Sequence, residues 1–287
     1  MIAEAMSSTD AHVEELPPEL AGPYLAAKLR AQASRIHEAA PRVLASGDDE
    51  AVHDLRVAIR RTRVVLEVGR SVLGRFRADE SRRALREVQS ATGALRDEEV
   101  LLELITSLGV DRLDVRAWLD ARQRRERRLR SALRRRIRAG ELENARELIA
   151  ALLAFRIKPS RERRLAKFAV RAVDAAANAV WRSKEPSVDD VEGLHDFRIR
   201  CKRLRYTIEV FAGVLPPEKA GLGPAASKLQ SRLGDVHDID VALACVARAR
   251  ALTDVARRRL SADLRALRQT KMTRYLADLG EARAAVP

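Results

Sequence analysis

The sequence predicts an all-α protein built as two helical bundles related by a pseudo-twofold axis. Three observations carry that prediction. No stretch shows the apolar–polar alternation of a strand, whereas apolar residues recur at helical spacing throughout. Breaks rich in Gly, Pro and Ser divide the chain into blocks of helical length. The segment from His53 to Val68 returns as His195 to Val210, at an offset of 142 in a chain of 287 residues. Seven of the sixteen aligned positions are identical, and Leu55/Phe197, Val57/Ile199, Arg60/Lys202 and Leu66/Ile208 are conservative pairs. A repeat of this kind marks two copies of one structural unit.

Taken in order, residues 1–17 form a polar, acidic segment expected to be a flexible tail. A first helix runs from Pro18 to Ala45 on Leu20, Tyr24, Leu25, Leu29, Ile36 and Val43. Ser46-Gly47-Asp48-Asp49 is a turn with a candidate N-cap, and the first motif helix follows to Leu73. His53 then falls near its first turn, where free amides and the helix dipole favour anions. A third helix, Ala78 to Leu108, carries Gln89, Gly93, Asp97 and Val100, echoed by Gln230, Gly234, Asp238 and Val241 at an offset of 141. The two glycines are read as kinks or as sites of close helix approach, with close approach favoured.

Asp111 to Arg138 forms a fourth helix with ten arginines from Arg122 onward and an apolar ladder of Leu129, Leu133 and Ile137. It is expected to be a solvated helix, with an accessory phosphate-binding rim as the alternative. Gly140 closes it, and Glu141 to Phe155 is a short helix. Lys158-Pro159-Ser160 marks the midpoint, separating halves of about 18–156 and 157–285. Helices are then expected over 160–182, 188–213, 217–251 and 254–282, punctuated by Pro186, Pro216, Pro217 and Pro224.

On a helical wheel the repeated residues separate into two arcs. His53, Arg56, Arg60, Arg63 and Glu67 share one narrow arc, and Val52, Leu55, Ile59 and Leu66 share the adjoining apolar one. The second copy repeats this with His195, Arg198, Lys202, Arg205 and Glu209 beside Leu194, Phe197, Cys201 and Ile208. A basic helix face is ordinarily a solvated one. Here the cations border the packing seam, where charge is costly unless it is paired or faces a wet cleft. One glutamate per stripe cannot neutralise three cations, so the missing counter-charge is expected to be an anionic ligand.

Composition agrees. Net charge is +14 and charged residues make up 33% of the chain, which points to a polyanionic partner. Aromatic residues are only 3%, which argues against a single-strand binder that stacks bases. Cys201 and Cys245 form neither a zinc motif nor a disulfide framework, and a reducing cytoplasm is the default compartment. The N-terminal segment lacks the basic and apolar regions of a secretion signal, and no apolar run is long enough to span a bilayer.

The doubled His-x2-Arg-x3-[Arg/Lys]-Arg-x-Arg helix, each copy followed by Gln-x3-Gly and an Asp-x2-Val element, resembles the CHAD (conserved histidine α-helical) domain over residues 18–285. The resemblance implies two four-helix bundles with pseudo-twofold symmetry around a basic central cavity. It also implies non-catalytic binding of inorganic polyphosphate and association with polyphosphate granules. Carried over by position, the implied contacts are His53, Arg56, Arg60, Arg61 and Arg63, then His195, Arg198, Lys202, Arg203 and Arg205. The Arg-Asp element is kept at Arg96-Asp97 and becomes His237-Asp238 in the second half, which removes a fixed cation there. Lys28, Arg35, Lys167, Arg171 and Lys228 are further candidate contacts.

Physical reasoning supports the same ligand. Cations one helical turn apart, about 5–6 Å, suit a linear polyanion, and arginine offers a bidentate fork where Lys202 offers a point charge. His53 and His195 are expected to donate to phosphate oxygens, with capping or bundle packing as their alternative. No cofactor or metal is expected. Two other functions fit parts of the sequence. A nucleic-acid backbone binder is permitted by the charge and the Arg122–Arg138 helix. A metal-dependent phosphohydrolase is suggested by the His-Asp dipeptides at 53–54, 195–196 and 237–238, although adjacent residues on a helix point about 100° apart.

Overall fold

The computed structural model describes residues 19–45, 50–109, 112–155 and 162–284. Its first half contains α1 (Ala21–Leu44), α2 (Glu50–Val68), the short α3 (Arg70–Leu73), α4 (Arg75–Ser107), α5 (Arg112–Arg138) and α6 (Glu141–Ala154). The second contains α7 (Leu165–Trp181), α8 (Val191–Phe211), the short α9 (Pro217–Ala220), α10 (Leu222–Ala247) and α11 (Asp254–Ala284). No strand occurs among the described residues; one isolated bridge joins Leu20 to Arg164. The expected tail, the Ser46–Asp49 turn and the Lys158–Ser160 midpoint lie outside the described residues.

The apolar arcs read from the sequence are the buried ones. Leu55, Ile59 and Leu66 of α2 and Phe197 and Cys201 of α8 are fully enclosed, each large side chain contributing roughly 1.5–3 kcal/mol by leaving water. α2 packs on α1 and α4, and α4 on α5 and α6; α8 packs on α7 and α10, and α10 on α11. Gly140 (φ 83°) supplies the left-handed turn between α5 and α6 that a side chain would strain. The expected single helix from 217 is instead α9 and α10, divided at Gly221. Pro224 sits in the first turn of α10, where its missing N–H costs nothing.

Three apolar clusters hold the chain together. One joins α1, α2, α4, α5 and α6 and reaches Phe211 of α8, whose ring stacks on Tyr24. A second joins α7, α8, α10 and α11 around Phe197 and Tyr275. The third was not anticipated from the repeat: Leu101 and Ile105 of α4, Val115 and Trp118 of α5, Ile239 and Val246 of α10, and Leu260 and Leu264 of α11 pack in one core. The halves therefore share buried surface, and α2 meets α8 as α4 meets α10.

The solvated-helix expectation for α5 holds for only part of it. Leu133 and Ile137 are buried in the first cluster, while Arg124, Arg127, Arg128, Arg135 and Arg138 face solvent. Close approach at the repeated glycines is also corrected. A methyl group added to Gly93 would meet nothing within 4 Å, and at Gly234 only Arg198 Nε at 4.0 Å. Both lie within continuous helices, so their small size leaves space rather than admitting a second backbone.

Candidate functional site

The site is built where α2 crosses α8. At the start of α8 the Asp190 carboxylate accepts from Gly193 N–H at 2.9 Å, capping the helix so that His195 follows at the start of its second turn. A Cβ on Gly193 would collide with that same carboxylate, which is why glycine stands there. Arg61 of α2 pairs with Glu209 of α8 at 3.7 Å, and Arg203 of α8 pairs with Glu67 of α2 at 3.2 Å. These pairs are repeat equivalents of one another, exchanged between the helices. Residue 61 opposite 209 and residue 67 opposite 203 means that the helices pass in opposite directions.

Between these pairs the stripes converge. The Arg60 guanidinium lies 4.9 Å from the Tyr206 ring centre, and that of Arg205 lies 4.3 Å from it, so one buried tyrosine carries an arginine from each half. Arg56 and Arg198 are close enough to oppose each other's charge, and both act on Lys202. Burial, then the neighbouring Arg60, Arg198, Arg56 and Arg205, push the Lys202 ammonium down to about 8. Burial likewise lowers the guanidinium values of Arg56, Arg60 and Arg63, which nonetheless stay charged at any working pH.

Several of these cations hold buried donors without a protein acceptor. Arg56 Nη1, Arg60 Nε, Arg63 Nε and Arg198 Nε are enclosed and donate to no atom among the described residues. Arg63 bonds through its other nitrogen to Gln89 of α4. In a native fold buried donors are nearly always satisfied by protein or water, so these clustered guanidinium N–H groups are open to an acceptor from outside the chain; Arg82, Arg122 and Arg257 carry enclosed Nε groups of the same kind.

His53 is exposed and lines a cavity of about 510 Å³ with Arg56, Arg60, Arg96 and Arg130, alongside Glu50, Glu99 and Glu103. Asp54 turns away to Arg42 at 2.7 Å, so the first His-Asp dipeptide does not converge. His195 has a different setting: its Nδ1 lies 3.3 Å from Nδ1 of His237 on α10. Burial and the adjoining Arg198 hold the His237 imidazole down to about 4. Burial pushes the Asp238 carboxyl up to about 6, against the pull of Arg198. Among the described residues no three metal-ligating side chains gather.

The remaining candidates separate. Lys28 and Arg35 of α1 line a second cavity, about 330 Å³, with Arg61, Tyr206 and Glu209. Arg96 is engaged by Glu103 at 3.4 Å and Glu99 at 3.9 Å. Lys167 and Arg171 are exposed on α7. Lys228 is clamped by Asp278 and Glu281 of α11, at 2.8 and 3.0 Å. Arg130 and Tyr206 are not among the residues the sequence singles out, although a tyrosine, one of three in the chain, offers a signal; Gln89 is marked by its echo at Gln230, but not as a site residue. Arg122 and Arg125 converge on buried Glu98, at 2.6 and 3.0 Å, and so fasten α5 to α4.

A family model of the CHAD domain matches residues 27–247. The chain belongs to the CHAD domain family. The crystal structure of the CHAD domain from the plant Ricinus communis superposes with a TM-score of 0.74 at 19% identity, covering 96% of this chain and 98% of that one. PptA from Streptomyces chartreusis gives a TM-score of 0.68 at 20% identity, covering 90% and 99%. At these identities the likeness establishes the all-α CHAD fold. No curated protein matches the sequence. No described helix of this CHAD protein is long and apolar enough to cross a membrane.

Proposed function

We propose that this CHAD protein binds inorganic polyphosphate without catalysis, gripping the polymer between the α2 and α8 stripes. The observation that carries the reading is the row of buried, unpartnered guanidinium donors on Arg56, Arg60, Arg63 and Arg198. Phosphate oxygens supply what they lack: acceptors carrying negative charge, closely spaced along a line. His53 and His195 stand at the N-terminal ends of their stripes and donate to the same chain, while Arg61, Arg203 and Arg205 frame the crossing. Lys28 and Arg35 extend the grip through the second cavity, and Arg96 through the first. In this reading residues 18–285 form one CHAD unit of two four-helix bundles, 18–156 and 157–285, about a pseudo-twofold axis through a basic central cavity. Lys167, Arg171 and Lys228 serve as outer contacts. The protein works in the cytoplasm, on polyphosphate granules.

The exposed arginines of α5 favour a second reading, binding to a nucleic-acid backbone. Competition separates the two. Polyphosphate should displace duplex DNA at far lower phosphate concentration than DNA displaces polyphosphate. Equal displacement in both directions would move the function to α5.

A further inference from the structure

Resting on that reading, we infer that polyphosphate binding is coupled to proton uptake at the second stripe, through the His195–His237 pair and Asp238, so that acidification tightens the complex. The first stripe has no such device. Its equivalent of His237 is Arg96, a permanent cation, and His53 stands exposed in an open cavity rather than against a second imidazole. At this one position the first half is charged at every pH, and the second is charged on condition.

The geometry limits what the pair can hold. With the two Nδ1 atoms 3.3 Å apart and the ring centres at 4.7 Å, only one N–H fits between the rings. One further proton can be accepted on the outward nitrogen of the donating ring without disturbing that bond. A second would set N–H against N–H. The pair therefore takes one proton, and becomes a cation one helical turn from Arg198.

Every element around the pair has a part in this. Arg198 and Lys202 of α8 oppose the proton, as does burial. Asp240 of α10 favours it, but is itself held by Arg268 of α11 at 2.6 Å, and Asp235 by Lys271 at 2.8 Å. Asp238 feels burial first, then Arg198 and Arg96, which oppose its protonation, and Asp97 and Asp235, which favour it. Arg56 of α2 adds its charge to the same centre. A polyanion settling on Arg198 and Lys202 neutralises cations that oppose the proton on His237, and its own charge raises the affinity of the Asp238 carboxylate for a proton. Both changes take protons up. By linkage, affinity rises as pH falls through the values of the bound state.

Calorimetric titration with long-chain polyphosphate, whose interior phosphates stay ionised throughout, tests this near pH 6 in buffers of different ionisation enthalpy. The expected result is uptake of about one to two protons per complex, and affinity rising by up to about tenfold per pH unit for each proton between pH 7.5 and 5.5. His237→Arg should lose about one proton of uptake, bind more tightly at pH 7.5 and flatten the pH dependence. His195→Asn/His237→Asn should lose the same proton without the gain in affinity. Binding with no proton uptake, or uptake unchanged in His237→Arg, overturns the inference and leaves the polyphosphate reading standing. Absence of polyphosphate binding at every pH overturns the reading itself.

Discussion

Glu67 of α2 and Arg203 of α8 lie 3.2 Å apart, and their repeat equivalents, Glu209 and Arg61, make the same contact in the opposite sense at 3.7 Å. The two carboxylates fix the crossing of the helices, and they are also the nearest competitors of an incoming anion. Both pairs are half-exposed, so each is worth roughly 0.2–1 kcal/mol. Glu67→Gln/Glu209→Gln should lower the melting temperature only slightly. It should raise polyphosphate affinity and steepen its salt dependence, because the cations these carboxylates hold, Arg82 and Arg203 on Glu67 and Arg61 and Arg205 on Glu209, are released to the polymer. A filter-binding salt series checks both slopes.

Gly93 stands between Gln89, bonded to Arg63, and Asp97, whose charge acts on Arg56; it is thus opposite Arg60 in the middle of the stripe. Its surroundings are open. Gly93→Ala should stabilise the protein by about 0.5–1 kcal/mol through helix propensity, with binding kept. Gly93→Leu should be folded but bind several-fold more weakly, since it fills the space left for the ligand. Thermal melts and titrations on the same samples distinguish the two.

Lys202 gives opposite signs for stability and binding. Its folded value, about 8, lies below the ordinary lysine value. Between these values the unfolded chain holds the extra proton, so folding stability rises with pH across that window. Polyphosphate affinity should fall over the same direction of pH, as the stripe loses a cation. Lys202→Arg should hold its affinity at pH 9.5, where the wild type has weakened.

Glu98 is 3% exposed and receives Arg122 and Arg125. Glu98→Ala leaves a partly buried Arg122 unpaired and should cost about 3 kcal/mol or more in chemical denaturation. Polyphosphate affinity, measured well below the transition, should be unchanged, since this pair fastens α5 rather than lining the stripe.

These residues also show what the sequence could reveal. The helices and buried arcs were legible because periodicity alone decides them: Leu55, Ile59 and Phe197 fall on the packing face by spacing. The stripes were legible because duplication separates a patterned set of cations from the ten look-alike arginines between Arg122 and Arg138 of α5. Nothing in the order of residues distinguishes Arg122, which holds Glu98, from Arg124, which faces solvent; only the position of α4 does. The His195–His237 contact depends on how α10 packs on α8, and the third core on how α10 and α11 meet the first half, at sequence separations where no local pattern reaches. Gly93 was misread because an open space and a close approach both demand a small residue.

The most direct measurement is the titration of long-chain polyphosphate at physiological salt against the wild type and an Arg56→Gln/Arg60→Gln/Arg198→Gln/Lys202→Gln variant, with circular dichroism confirming that the fold is kept. The stripes predict tight binding by the wild type and a loss of at least about a hundredfold in the variant, with a salt slope shallower by about three to four phosphate contacts. Undiminished binding by a folded variant would contradict the account and move the polyanion to another surface.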